Sequence, residues 1–336
     1  MTHLMIYGAT GYTGRMAAAH AKTLGLPILV AGRDETPLRT LAEELGVDAR
    51  VFALDETADI DAGLTDVAVL LNCAGPFLHT ADPLMRGALR NGVHYLDIAA
   101  ELDSYRLAET LEDAAQAAGV MLLPGSGGSV AMLGSLAGFA ASHVAEPRKI
   151  SVALHVTGAM SRGSAISASQ NLTTRTMARV DGVLVDRDPS KLMDFDFGMG
   201  VVPCFPVTLP DLITLWRSTG APNVETFVHV SGTAFPEGDL SDMPDGPTSE
   251  ERNASRYQAS VCVTGADGLS VRAVLDTVNG YSFTPLAAAE AARRVMRGEA
   301  RPGFQTPAGL FGPGFAETIA DTRITLLDSM PAHAET

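Results

Sequence analysis

The first 125 residues alternate short apolar runs with amphipathic stretches. Six runs have strand length: His3–Tyr7, Pro27–Gly32, Ala49–Leu54, Val67–Asn72, Tyr95–Ala99 and Val120–Leu123. Val67–Leu71 is apolar throughout, the pattern of a parallel strand buried on both faces. Helices are predicted directly after Gly14, from Thr36 to Gly46, near 80–91 and near 103–118. In the second of these, Thr36 reads as the N-cap, Pro37 as the first helical residue and Gly46 as the stop. Strands joined in this way by crossover helices predict a doubly wound parallel sheet in the order 3-2-1-4-5-6.

The pattern changes after residue 149. Runs at Ile150–Val156, Val224–Val230, Ala259–Thr264 and Val271–Val278 predict an antiparallel sheet, with Gly265-Ala266-Asp267-Gly268 as a hairpin turn. A helix is expected over Ser164–Arg179, and an Ala-rich helix over Pro285–Arg297 that returns to the first sheet. Gly232–Ser255 is rich in Pro, Gly and acids and reads as a loop, either a lid or a plain connection. The expected division is a dinucleotide-binding domain over 1–127, joined by C-terminal helices from 284–336, and an α+β substrate or dimerisation domain over 128–283. Its antiparallel sheet could pair across a homodimer.

A chain of 336 residues that is 46% hydrophobic has room for two packed domains. Its 39 acidic and 24 basic side chains leave a net charge of −15, which argues against nucleic acid or an anionic membrane as partner. Any anion site must then be local. Three separated cysteines, Cys73, Cys204 and Cys262, show no metal spacing and fit a reducing compartment. With the first strand starting at residue 3, no signal peptide is expected and a cytoplasmic location is. Gly125–Ser142 is too weakly apolar for a membrane span and is expected as a buried helix.

The chemistry begins where the first strand runs into Gly8-Ala9-Thr10-Gly11-Tyr12-Thr13-Gly14. Strand, glycine turn and helix form the context of a dinucleotide fingerprint on a Rossmann sheet, although the spacing here is GxxGxxG. Gly8 and Gly11 let the backbone approach a pyrophosphate, and Gly14 lets helix and strand pack closely. Arg33 follows the second strand, where an acid would suit NAD and an Arg suits the 2′-phosphate of NADP. A solvated strand-end Arg beside Asp34 and Glu35 is the plainer reading.

Cys73-Ala74-Gly75-Pro76-Phe77 follows the fourth strand, at the switch point where a cofactor lies. Cys73 itself reads as catalytic or as a small core residue. Tyr95 and Asp97 share one strand face, and Asp97 reads as an orienting or acid–base group, or as a loop carboxylate. Glu101 is expected to be a loop carboxylate. Ser161-Arg162-Gly163-Ser164 precedes a helix, and Arg162 reads either as a partner for a substrate carboxylate or as part of an ordinary cap. His155, Arg175 and Arg217 are further candidate lining residues.

Together these segments resemble the saccharopine dehydrogenase-like NAD(P)-binding oxidoreductases. The resemblance rests on the 8–14 turn, Ala31-Gly32-Arg33, Asn72–Phe77 and Gly92-Val93-His94-Tyr95-Leu96-Asp97. The branch that includes trans-acting enoyl reductases is the nearer likeness, through Arg217-Ser218-Thr219-Gly220, Gly280-Tyr281 and Thr306-Pro307-Ala308. Two departures stand out: Ala99-Ala100 before Glu101, and Gly127-Gly128-Ser129 where the family often carries an acid.

The resemblance implies an NADP(H)-dependent enzyme, with NAD the lesser candidate, passing hydride to a C=C or C=N bond of a small metabolite. The alternative is a non-catalytic NADP-binding sensor. No Tyr-x-x-x-Lys pair is present, since Tyr12 is followed by Met16 and Tyr105 by Glu109.

Overall fold

A computed structural model describes residues 3–171, 175–231 and 239–327. The first half contains β1 (His3–Tyr7), α1 (Tyr12–Thr23), β2 (Ile28–Gly32), α2 (Glu35–Leu45), β3 (Asp48–Val51), α3 (Thr57–Gly63), β4 (Val67–Asn72), α4 (Phe77–Asn91) and β5 (His94–Asp97). It continues through α5 (Leu102–Thr110), α6 (Glu112–Ala117) and β6 (Met121–Leu123) to α7 (Gly128–Ala141).

The parallel order 3-2-1-4-5-6 is as expected, with a seventh strand at its far edge. This is the two-residue Gly303–Phe304, parallel to β6. Two residues carry too little pattern to be read from sequence. The turn at Leu111 splits the helix expected near 103–118 into α5 and α6. Asp34, not Thr36, occupies the N-cap position of α2, without a side-chain capping bond, and Gly46 ends the helix in the left-handed conformation.

The second half contains β7 (Pro147–Thr157), α8 (Arg162–Asn171), β8 (Met177–Val180), β9 (Val183–Asp186), β10 (Met193–Asp196), β11 (Val201–Pro206), α9 (Asp211–Thr219), β12 (Asn223–Ser231), α10 (Ser249–Asn253), β13 (Arg256–Gly265) and β14 (Ser270–Val278). The sheet is largely antiparallel, including the β13–β14 hairpin, but β7 and β12 run parallel. A strand pattern cannot distinguish the two directions when about 65 residues of other structure intervene. The helix expected over Ser164–Arg179 is shorter, since Met177–Val180 is a strand paired with β9.

The loop expected over Gly232–Ser255 falls partly outside the described residues, at 232–238. In its remainder a 3-10 turn at Leu240–Asp242 leads to α10, which Thr248 and Glu251 cap reciprocally. The capping box starts a helix inside a stretch that its composition had marked only as a loop.

The last elements are α11 (Gly280–Met296), β15 (Gly303–Phe304), α12 (Pro307–Phe311) and β16 (Arg323–Leu327). Helix α11 lies against α1, β4 and β5 but also against α7 and β14, so it touches both sheets. The C-terminal segment likewise serves both, with β15 on the first sheet and β16 beside β14 on the second.

One continuous core joins the layers. Leu4, Ile6, Val69 and Leu71 from one face of the first sheet meet Ala287, Ala288, Leu133 and Leu136 from the helices, then Val152, Val261 and Leu275 from the second sheet. Helix α7 is the buried helix expected near Gly125–Ser142, apolar on nearly every side. Among the described residues, no helix is long and apolar enough to cross a membrane.

Candidate functional site

The glycine turn is shaped by contacts that a side chain would block. Gly8 has φ of +76°, and a Cβ there would lie 2.7 Å from both the Cβ and the amide nitrogen of Ala74. A Cβ on Gly14 would overlap the carbonyl oxygen of Gly8. The Gly11 amide donates to that same carbonyl at 3.1 Å and closes the turn. Gly11 is the N-cap of α1 and offers no side-chain acceptor, so the N–H groups of Tyr12, Thr13 and Gly14 begin a helix uncapped by any side chain. Thr10 sits within the same turn, and a dinucleotide phosphate fits this arrangement of donors and space.

Beside the turn, the segment Cys73–Phe77 is pinned by the fully buried Asn72. Its amide nitrogen donates to Thr80 Oγ1 at 3.1 Å and to the Tyr95 hydroxyl at 3.2 Å, and its oxygen accepts from Ala74 N at 2.9 Å. Thr80 in turn donates to the Ala74 carbonyl at 2.6 Å. The Gly75–Pro76 peptide is cis, and Phe77 starts α4. Burial pushes the Cys73 thiol up to about 12, with Asp97 adding to the effect. A thiol held neutral in this way is a poor nucleophile.

Asp97 and Tyr95 are both fully buried. One carboxylate oxygen of Asp97 accepts from Ala99 N at 2.9 Å and Gly125 N at 2.7 Å, and the other accepts from the Tyr95 hydroxyl at 2.9 Å. The Asp97 carbonyl accepts from both the amide and the hydroxyl of Ser126 at 2.8 Å. Burial raises the Asp97 carboxyl to about 6 against the pull of its three donors. These bonds tie the exit of β5 to the Gly125–Gly128 turn. Glu101 accepts from Ala100 N at 2.9 Å, as a loop carboxylate does.

Elements of the second half wall the turn. The Ser161 amide donates to the Tyr281 hydroxyl at 2.8 Å, and the Tyr281 ring meets the Tyr12 ring edge-on at 5.7 Å. Asn279 holds Tyr281 in place by accepting its amide at 2.9 Å. The Tyr12 hydroxyl donates to the Pro247 carbonyl and accepts from Arg252 Nη1 at 2.6 Å. Arg162 pairs with Asp245 and donates to the Met243 carbonyl at 3.2 Å, so its guanidinium is already engaged. Ser161 caps the start of α8, accepting from Ser164 N at 3.2 Å.

Arg33 stands at the end of β2 with its side chain 79% exposed and only a loose contact, 3.6 Å, to Asp34. The other sequence candidates are occupied elsewhere. His155 bonds Ser231 at 2.8 Å and Gln258 at 3.2 Å across neighbouring strands, Arg175 pairs with Asp186, and Arg217 pairs with Glu112 while stacking on Phe304. Tyr281 and Arg252 carry no local pattern that marks them as site residues. They reach the turn only because the chain folds back over more than 200 positions.

Residues 4–123 match the family model described as the saccharopine dehydrogenase NADP binding domain. The bovine (Bos taurus) saccharopine dehydrogenase-like oxidoreductase is 28% identical over 120 residues, covering 30% of this chain and 28% of that protein. A trans-acting enoyl reductase of Mycobacterium leprae is 29% identical over 106 residues, covering 30% of this chain and 25% of that protein. These matches thus span about a quarter of the relatives' length.

The fold as a whole is similar to saccharopine dehydrogenase (L-Glu forming) from Saccharomyces cerevisiae, with a TM-score of 0.66 at 13% identity over 98% of this chain and 100% of that one. It is also similar to the homospermidine synthase of Legionella pneumophila, solved with NAD, with a TM-score of 0.65 at 12% identity over 100% and 93% of the two chains. Over residues 4–123 the chain is thus similar to the NADP binding domain of saccharopine dehydrogenase and to the matching part of saccharopine dehydrogenase-like oxidoreductases.

Proposed function

We propose that the protein is an NADP(H)-dependent oxidoreductase that reduces a C=C or C=N bond of a small metabolite. The observation that carries this reading is the close approach of Gly8 to Ala74 within the segment similar to an NADP binding domain, with Tyr281 and Ser161 packed beside Tyr12.

In this reading Gly8, Thr10, Gly11, Tyr12, Thr13 and Gly14 receive the pyrophosphate, and Arg33 takes the 2′-phosphate. Cys73, Ala74, Gly75, Pro76 and Phe77 line the nicotinamide end. The bound cofactor supplies the hydride. Asp97 and Tyr95 act as positioning residues that set the Ala99 and Gly125 backbones. Arg162 orients α8 through its bonds to Asp245 and Met243. Residues 1–127 with the C-terminal helices serve as the cofactor domain and residues 128–283 as the substrate domain.

The test is NADPH oxidation by the full chain on a panel of enones and cyclic imines, with cofactor affinity measured alongside. Turnover of either class supports the reading. Tight NADPH binding with no turnover on any panel member favours the sensor.

A further inference from the structure

The segment Asp239–Asn253 belongs to the second half of the chain, yet it closes on the first residue of α1. Bonds to Tyr12 and to Arg162 hold it in place. The Tyr12 hydroxyl donates to Pro247, Arg252 donates to that hydroxyl at 2.6 Å and to the Pro247 carbonyl at 2.8 Å, and Arg162 grips Asp245 and Met243 from the start of α8.

Arg252 is the residue of interest. Its two recorded bonds both leave from Nη1 and both go to neutral oxygens. Among the described residues no carboxylate pairs with it. Its neighbour Glu251 is turned onto the Thr248 amide at 2.7 Å by the capping box. The guanidinium carbon lies 5.8 Å from the centre of the Tyr12 ring. A chain of net charge −15 thus places, against the side chain of the first residue of α1, a half-buried guanidinium with no paired acid among the described residues. A guanidinium suits phosphate oxygens better than it suits a phenol, because both charge and fork geometry match.

We propose that Arg252 is a cofactor-binding residue supplied by the second half of the chain, turning from the Tyr12 hydroxyl to the dinucleotide pyrophosphate. The segment that carries it then covers the phosphates once they are bound. This rests on the NADP(H) reading above and adds to it a phosphate contact from outside residues 4–123.

The experiment titrates the full chain with NADPH and with adenosine 2′-monophosphate, which keeps the 2′-phosphate and lacks the pyrophosphate. Arg252→Gln should raise the NADPH Kd by about tenfold to a hundredfold, the scale of one lost charge-assisted bond, and leave the nucleotide monophosphate unchanged. Arg252→Lys keeps the positive charge without the fork and should recover most of the affinity that Arg252→Gln loses. An unchanged NADPH Kd in Arg252→Gln overturns the proposal and leaves the cofactor reading standing. So does a loss in Arg252→Lys as large as that in Arg252→Gln, which would assign the effect to the bonds of the segment and not to the charge. A wild-type chain that binds no NADPH overturns both readings.

Discussion

Replacing Arg33 by Ala should convert an NADP-preferring site into one that hardly distinguishes NADP from NAD. The structure sets the size of the effect. Arg33 is 79% exposed and meets Asp34 only at 3.6 Å, with that carboxylate itself 64% exposed. Such an exposed pair contributes about 0–1 kcal/mol, so little holds the guanidinium back. A hydrogen-bonded contact to a charged phosphate contributes about 1.5–3 kcal/mol, so the ligand wins the competition. The substitution should therefore weaken NADPH binding by about tenfold to a hundredfold and leave NADH nearly unchanged.

Because so little of the side chain is buried, thermal stability should not move. Added salt should shrink the wild-type preference, since an exposed phosphate contact is screened. The assay is fluorescence titration of wild type and variant with both reduced cofactors at two salt concentrations. An unaltered ratio of NADPH to NADH affinity would refute the assignment of the 2′-phosphate to this residue.

Gly8→Ala combines a left-handed backbone with a Cβ 2.7 Å from Ala74, so it should abolish measurable NADPH binding, and retention of wild-type affinity in a folded variant would contradict the cradle. Asp97→Asn keeps the shape but replaces an acceptor of the Tyr95 hydroxyl with a donor; NADPH binding should weaken several-fold as the Gly125 loop loosens, and unchanged binding together with unchanged hydrogen exchange at Gly125 would leave Asp97 a purely structural residue. Asp97 and Asp211 are raised by burial to about 6 and about 7. Each keeps its proton in the folded state after the unfolded chain has lost it near pH 4, so their contribution to stability falls as pH rises from about 4 to about 7. Asp211→Asn should flatten the upper part of that fall in urea melts at pH 5 and pH 8; an equal pH slope in both proteins would show that Asp211 titrates normally. Tyr105→Phe leaves the Ala99 carbonyl without its 2.7 Å donor and should cost about 1–3 kcal/mol in the same melts, with no loss counting against the bond.

The cofactor half was legible because its signals are local. A parallel strand announces itself by an unbroken apolar run, and a phosphate turn needs glycines at spacings that strand and helix geometry dictate, as Gly8 and Gly14 do. Arg33 stands directly after β2, where the strand pattern put it. The Thr248–Glu251 box was equally local, yet the acidic, Pro- and Gly-rich composition around it suggested only a loop.

Tertiary structure decided what depends on distant pairing. Strand direction between β7 and β12, the edge strand Gly303–Phe304 and the sharing of α11 between two sheets are set by how separate apolar faces pack, and no short window encodes that. The same holds for the site. Asp97 looked like a group awaiting a ligand because a carboxylate in an apolar strand is costly; its partners Tyr95, Ala99 and Gly125 answer that cost, and one of them comes from 28 residues away. Arg162 looked available until Asp245 and Met243 came to meet it. Tyr281 and Arg252 gained their place only when residues more than 200 positions apart closed on Tyr12, because side-chain chemistry is written in the sequence but its neighbours are chosen by packing.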